Sequence, residues 1–171
     1  MPRQRNLESQ LTYRIPRIKL ALVQEKSARG KVKRITIRTP EDVAELLEPL
    51  QMAPEEHFVS LHLNAKNEVI GLHEVSHGTL SSSLVHPREV FKAAIIANSY
   101  AIVVCHNHPS GASIQPSKED LDTTKQLLSA GKILGVSVVD HLIVGPATDG
   151  ESVYSVRENH PLLWENCLAG R

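Results

Sequence analysis

Cysteine and aromatic residues are scarce in this sequence, and it contains no long hydrophobic run. Its two cysteines, Cys105 and Cys167, cannot build the disulfide framework of a small secreted domain. No uninterrupted apolar stretch reaches the roughly 20 residues that a transmembrane helix requires, and no signal-peptide pattern is visible. The sequence therefore predicts a cytoplasmic protein without a membrane partner.

The formal net charge is zero, but the charges are distributed unevenly along the chain. Of the 19 basic and 19 acidic residues, 11 basic and only two acidic ones fall within residues 1 to 38. A basic arm on an acidic body is a candidate nucleic-acid contact. It is equally typical of a solvated arm that folds back on its own domain. The remaining composition, with 41% hydrophobic and 22% charged residues, indicates one ordinary globular domain.

Metal-ligating residue types concentrate between residues 105 and 120. The β-branched run over residues 100 to 105 predicts a buried strand. His106 and His108 follow it at a spacing that places both imidazoles on one side of an extended chain. Ser117 then marks a helix start, which puts Asp120 in the first turn. Two imidazoles and one carboxylate, with a fourth position left for water, form the ligand set of a catalytic zinc site.

Each half of this pattern also has a simpler interpretation. A His-x-His sequence alone is a weak signal, and Ser117 and Asp120 match a capping box in which both side chains only satisfy backbone donors. The two halves together are stronger evidence. The loop between them is short enough to bring the helix start beside the strand end.

The segment from His106 to Gly111, with Ser117 and Asp120, resembles the JAMM signature of the JAB/MPN metalloproteases. Together with the later stretch 139–144, it resembles the RadC branch of that family over about residues 40 to 158. The resemblance implies one zinc ion held by His106, His108 and Asp120. One feature departs from the family: eight residues separate His108 from Ser117, where seven are usual. We place the extra residue within the loop at 112–115, where an insertion is tolerated most easily.

The same resemblance implies hydrolysis of a peptide or isopeptide bond in a peptide or protein substrate. Glu56 matches the catalytic glutamate of the family and would act as the general base, while Ser117 would donate a hydrogen bond to the oxyanion. By spacing alone, Glu56 is an ordinary exposed carboxylate. Strand alternation predicts that Glu56, rather than Glu55, lies on the same side as Phe58.

Asp140 and His141 form a further pair that this family keeps. They lie within a largely apolar strand, where two adjacent polar residues need partners. We expect one of the two to orient a ligand imidazole rather than to bind the metal directly.

The predicted fold class is α/β (α+β), a JAB/MPN-like mixed β-sheet with helices packed on its faces. Residues 1–38 are interpreted as a basic N-terminal arm with a β-hairpin, residues 39–158 as the RadC-like JAB/MPN hydrolase domain, and residues 159–171 as a C-terminal tail. A helix is predicted from Lys118 to about Leu134, stopped by Gly135, with Ile133 and Leu134 on its apolar face.

Three other functions are alternatives to a zinc hydrolase. A zinc nucleobase deaminase requires His-x-Glu with a later Pro-Cys-x-x-Cys, and the sequence contains neither. A DNA-repair accessory or nucleic-acid-binding module draws on the basic arm and on the traditional label of the RadC family. A metal-stabilised interaction domain without activity is the third alternative.

Overall fold

A computed structural model describes residues 35–78, 85–108, 113–148 and 150–168. Within these residues the chain forms six helices and five strands. The helices are α1 (Pro40–Leu46), α2 (Glu48–Gln51), α3 (Pro87–Ile96), α4 (Lys118–Leu134), α5 (Val156–Asn159) and α6 (Pro161–Leu168). The strands are β1 (His57–Leu63), β2 (Val69–His77), β3 (Ala101–Asn107), β4 (Ser137–Thr148) and β5 (Glu151–Ser155).

All five strands join one mixed sheet in the order β2-β1-β3-β4-β5. Strands β3 and β4 are parallel, and the other neighbouring pairs are antiparallel. The helical crossover α4 connects the parallel pair, as parallel pairing requires. The predicted mixed sheet with flanking helices is confirmed. Most of the hairpin predicted for the basic arm lies outside the described residues. Within them, Thr36 forms an isolated antiparallel bridge with Glu68, which directly precedes β2.

Local sequence signals set the helix ends. Thr39 caps α1 and Ser117 caps α4, each in a reciprocal capping box with the acidic residue three positions later. Helix α4 stops at Gly135, whose φ of 70° is in the left-handed region that glycine adopts without a steric penalty. The cap at Ser117 fixes the first turn of α4, which contains Asp120.

Both faces of the sheet are buried. One face packs against α3, α4, α5 and α6 through a cluster that includes Phe58, Phe91, Leu127 and Trp164. The opposite face packs against α1 and α2. Alternate residues of β1 and β3 therefore enter two separate cores, and we refer to these as the α4 face and the α1 face. Burial on both faces explains why the strands consist mainly of β-branched and aliphatic residues.

Two sequence-based expectations differ from the structure at the periphery. Ile133 and Leu134, predicted on the apolar face of α4, are 85% and 46% exposed, whereas Leu127 and Leu128 of the same helix are buried. The segment predicted as a C-terminal tail contains α6. Its Trp164 is buried and donates a hydrogen bond from Nε1 to the carbonyl of Val138 at 3.0 Å. A tryptophan in this environment anchors the chain end to the α4 face.

No helix in the described part of the chain has the length and hydropathy needed to cross a lipid bilayer.

Candidate metal centre

His106, His108 and Asp120 come together where β3 ends and α4 begins. One potential ligand atom from each residue lies within 4.8 Å of the other two. The Nε2 atoms of the two imidazoles are 3.1 Å apart, and Asp120 Oδ1 is 3.5 Å from His106 Nε2. The loop with the extra spacer residue therefore still allows the three side chains to converge. Their role as metal ligands stays a prediction.

The two carboxylate oxygens of Asp120 have different surroundings, so the capping box leaves one of them available to a metal ion. Its Oδ2 accepts hydrogen bonds from the backbone N and the Oγ of Ser117, at 2.7 and 2.6 Å, which completes the capping box. Its Oδ1 faces His106. A carboxylate oriented by its own helix cap can present its second oxygen to a cation without further support, so capping and metal binding do not compete.

The chemistry of this donor set fits a divalent cation. His108 Nδ1 is 2.8 Å from the carbonyl of Ser113, which only accepts hydrogen bonds, so His108 donates from Nδ1 and turns Nε2, its other ring nitrogen, toward His106. Burial lowers the pKa of His106 well below its ordinary value, and nearby His141 lowers it further, so His106 is neutral at pH 7. Neutral imidazole nitrogens and a carboxylate are ligands that zinc binds in a tetrahedral site.

An irregularity in β4 decides which residue of the Asp140–His141 pair reaches this site. Ile102 pairs with Val138 and Val103 pairs with Asp140, so β4 has one extra residue, Val139, at this point. Such a bulge reverses the faces of all residues that follow. His141 is thereby placed on the α4 face, where its Nε2 lies 2.9 Å from His106 Nδ1.

Asp140 points to the α1 face instead. Its carboxylate accepts hydrogen bonds from Ser155 Oγ at 2.6 Å, from the backbone N of Arg157 at 3.0 Å and from the backbone N of His141 at 2.7 Å. It therefore fixes the junction between β5 and α5. The structure brings only His141 of the expected pair to an imidazole of the metal centre.

Glu56, the residue before β1, interacts electrostatically with two of the three ligand candidates, His108 and Asp120. Partial burial raises the pKa of its carboxyl group; His108 acts in the opposite direction, and the negative charge of Asp120 raises the pKa further. Glu55 points elsewhere: its Oε2 is 2.7 Å from His77 Nε2, and both side chains are 57% exposed. The expected alternation of these two residues and the catalytic role of Glu56 stay predictions.

Asn107 is a functional candidate that the sequence analysis missed. It stands between the two histidines and is fully buried on the α1 face. Its Oδ1 accepts from the backbone N of His57 at 2.7 Å, and its Nδ2 donates to the carbonyl of Glu55 at 2.9 Å. These bonds clamp the backbone on both sides of Glu56. The sequence signal that could have identified it is an asparagine directly after an apolar strand. A side-chain amide buried at such a position requires hydrogen-bond partners.

Ser117 is exposed beside the centre, and its hydroxyl hydrogen points to Asp120 Oδ2. It would have to redirect that hydrogen bond to stabilise an oxyanion. A cleft of about 670 Å³ is lined by residues of α1, β4, α5 and α6, among them Pro40, Asp140, Arg157 and Trp164. None of the three ligand candidates lines it.

Comparison with known proteins agrees with the motif and with the mixed sheet. The model of a family described as "RadC-like JAB domain" matches residues 37–161, which comprise the sheet and all three ligand candidates. The match begins just before α1 and ends at the first residue of α6.

Relatives of this chain occur in several bacteria. It is 50% identical over 119 residues to UPF0758 protein SH1266 of Staphylococcus haemolyticus, covering 69% of this chain and 52% of that protein. It is 50% identical over 113 residues to a UPF0758 protein of Desulforamulus reducens, covering 66% of this chain and 49% of that protein. The chain thus spans about half the length of the curated relatives it matches. The family match over most of its length establishes that the chain belongs to the RadC-like JAB domain family.

Proposed function

We propose that this chain is a zinc-dependent hydrolase that cleaves a peptide or isopeptide bond. The observation that supports the proposal is the convergence of two imidazole nitrogens and one carboxylate oxygen, two of whose residues, His108 and Asp120, also influence Glu56 electrostatically. The bond class comes from the JAMM resemblance, because the names of the relatives carry no activity.

His106, His108 and Asp120 would hold the ion. A bound zinc ion supplies a Lewis acid that polarises a carbonyl oxygen and lowers the pKa of a neighbouring water from about 15.7 to about 7. Three protein ligands leave room for substrate in a tetrahedral site, which is typical of catalytic rather than structural zinc. The ligands come from two rigid elements, the end of β3 and the first turn of α4, which favours a fixed geometry.

Glu56 would move the proton. Its carboxylate accepts a proton from the attacking water and delivers it to the amine nitrogen as the carbon–nitrogen bond breaks. A raised pKa brings this carboxyl group closer to the operating pH, and general acid–base catalysis of this kind contributes roughly 10² to 10⁴ in rate. Asn107 would keep Glu56 in place through the adjacent backbone. Ser117 would donate its hydroxyl to the oxyanion.

Zinc content tests the metal part of this proposal. The purified wild-type protein should contain about one zinc ion per chain, as a three-ligand site predicts. The double variant His106→Ala/His108→Ala should contain none, measured by elemental analysis after dialysis. Full zinc retention in that variant would overturn the ligand assignment.

A matched pair of glutamate variants tests the catalytic part. Glu56→Gln should retain zinc and fold while losing hydrolysis of a peptide and isopeptide library by roughly 10² or more. Glu55→Gln makes the same chemical change one residue away, on a half-exposed side chain paired with His77, and should stay close to wild type. Equal losses in both variants would contradict the role of Glu56. A zinc-loaded wild type that cleaves no member of the library would favour an interaction domain without activity.

A second candidate function rests on the charge of residues 1–38. Eleven basic residues against two acidic ones favour binding of nucleic acid, which would make the chain an accessory module in DNA repair.

A further inference from the structure

We propose that Thr124 and His141 are positioning residues that fix the proton of His106 on Nδ1 and keep its Nε2 free for the metal. The inference rests on the proposed function, because it concerns the same centre. Its evidence is a chain of hydrogen bonds that runs from helix α4 through β4 to β3.

Three short contacts form this chain, which we call the His106 relay. His106 Nδ1 lies 2.9 Å from His141 Nε2, and His141 Nδ1 lies 2.6 Å from Thr124 Oγ1. Thr124 Oγ1 in turn lies 2.7 Å from the backbone carbonyl of Asp120. His106, His141 and Thr124 are fully buried or nearly so. The relay is therefore shielded from solvent, and each of its atoms depends on its neighbour for a hydrogen bond.

The carbonyl at the end of the relay sets the direction of every bond. A carbonyl oxygen only accepts, so the contact with Asp120 is a hydrogen bond only when the single hydroxyl hydrogen of Thr124 points to it. The hydroxyl oxygen then accepts from His141 Nδ1, which must carry the proton. His141 Nε2 is left with a lone pair and accepts from His106 Nδ1. The reverse direction would leave two oxygens 2.7 Å apart with no hydrogen between them.

This direction determines what His106 presents to the metal centre. With its proton on Nδ1, His106 directs the lone pair of Nε2 toward His108 and Asp120. The two nearest atoms of those residues are His108 Nε2 at 3.1 Å and Asp120 Oδ1 at 3.5 Å. The relay therefore keeps free the one nitrogen of His106 that faces the other ligand candidates, and a metal ion needs a lone pair at that atom.

The relay also ties two ligands to each other. Its last acceptor is the carbonyl of Asp120, whose side chain is itself a ligand candidate, and Thr124 follows one helical turn later. Displacement of α4 along its axis would therefore break the hydrogen bonds of the relay and, at the same time, move the carboxylate of Asp120. The bulge at Val139 makes this connection possible, because without it His141 would face α1.

Zinc affinity of a set of threonine variants tests the inference. Thr124→Val keeps the shape but removes the acceptor for His141, and it should raise the Kd for zinc by about 10- to 100-fold, as loss of a residue that supports a ligand does. Thr124→Ser restores the hydroxyl and should return the Kd close to that of wild type. Thr123→Val is the matched control, because Thr123 is the buried neighbour on α4 and its hydroxyl makes no hydrogen bond among the described residues.

The protonation pattern gives a readout that does not depend on zinc or on activity. Long-range nitrogen–proton NMR correlations in metal-free wild type at neutral pH should show both His106 and His141 protonated on Nδ1. A proton on Nε2 of His106 would overturn the inference, and so would an unchanged Kd in a folded Thr124→Val protein. Equal losses in Thr124→Val and Thr124→Ser would reduce Thr124 to a packing residue. A wild type that binds no zinc would refute the proposed function, while the NMR pattern would still decide the direction of the relay.

Discussion

The buried ring of His62 makes a quantitative prediction about acid stability. This side chain is 2% exposed under α3; its Nδ1 lies 2.9 Å from Ser99 Oγ, and its Nε2 has no hydrogen-bond partner among the described residues. Burial, together with the neighbouring His73, lowers the pKa of His62 from 6.5 to about 4. The folded protein therefore keeps His62 neutral at a pH where the unfolded chain would protonate it.

The sign and size of the effect follow from linkage. Between pH 6.5 and about 4 the unfolded chain binds a proton at this site and the folded protein does not, so stability falls as the pH falls through this interval. Above pH 6.5 His62 causes no loss of unfolding free energy, and below about pH 4 the loss stays constant. At about 1.4 kcal/mol per pH unit, the interval corresponds to about 3 kcal/mol of unfolding free energy.

Urea unfolding of the metal-free protein at pH 7.5 and pH 4.5 measures this quantity. Wild type should lose about 2.5 kcal/mol more between the two conditions than His62→Gln, whose side chain does not titrate, because pH 4.5 lies above the end of the interval. Other buried groups that titrate, including His141, are common to both proteins and cancel in the comparison. His77→Gln is the control, because its ring is more than half exposed and should leave the wild-type difference intact. Parallel pH dependence in wild type and His62→Gln would refute the reasoning.

Three further predictions concern packing, metal and the basic arm. A Cβ added at Gly131 would lie 2.5 Å from the carbonyl of Val136, so Gly131→Ala should lower the unfolding free energy by about 1 to 3 kcal/mol. Gly71→Ala, with no atom within 4 Å of its added Cβ, should be nearly silent in the same urea titration, and equal effects would contradict this packing argument. Chelation of zinc should leave the far-ultraviolet circular dichroism unchanged, because the two core clusters do not depend on the ion; unfolding would instead make the metal structural. Binding of DNA, if residues 1–38 provide it, should weaken steeply with salt and vanish when they are removed, and salt-insensitive binding in fluorescence anisotropy would argue against the arm.

The sequence by itself determined the local features of this protein. Capping residues at Thr39 and Ser117 and the left-handed stop at Gly135 lie where the helices begin and end, because caps act within a few residues of the chain. The spacing of His106 and His108 on a strand, followed by Asp120 in a first helical turn, likewise suffices to bring three side chains together. In each case the physical cause is local backbone geometry, which a sequence pattern expresses directly.

The tertiary structure decided everything that depends on pairing between distant segments. The extra residue Val139 in β4 places His141 toward His106 and Asp140 away from it. The sequence of β4 does not predict this bulge, because a bulge is defined by the pairing of β4 with β3. The clamp of Asn107 on the backbone around Glu56 joins residues about 50 positions apart, and it too is invisible to local spacing. The exposure of Ile133 and the presence of α6 within the expected C-terminal tail have the same cause. Whether an apolar side chain such as Ile133 or Trp164 is buried depends on which surface lies opposite it, and only the assembled sheet provides that surface.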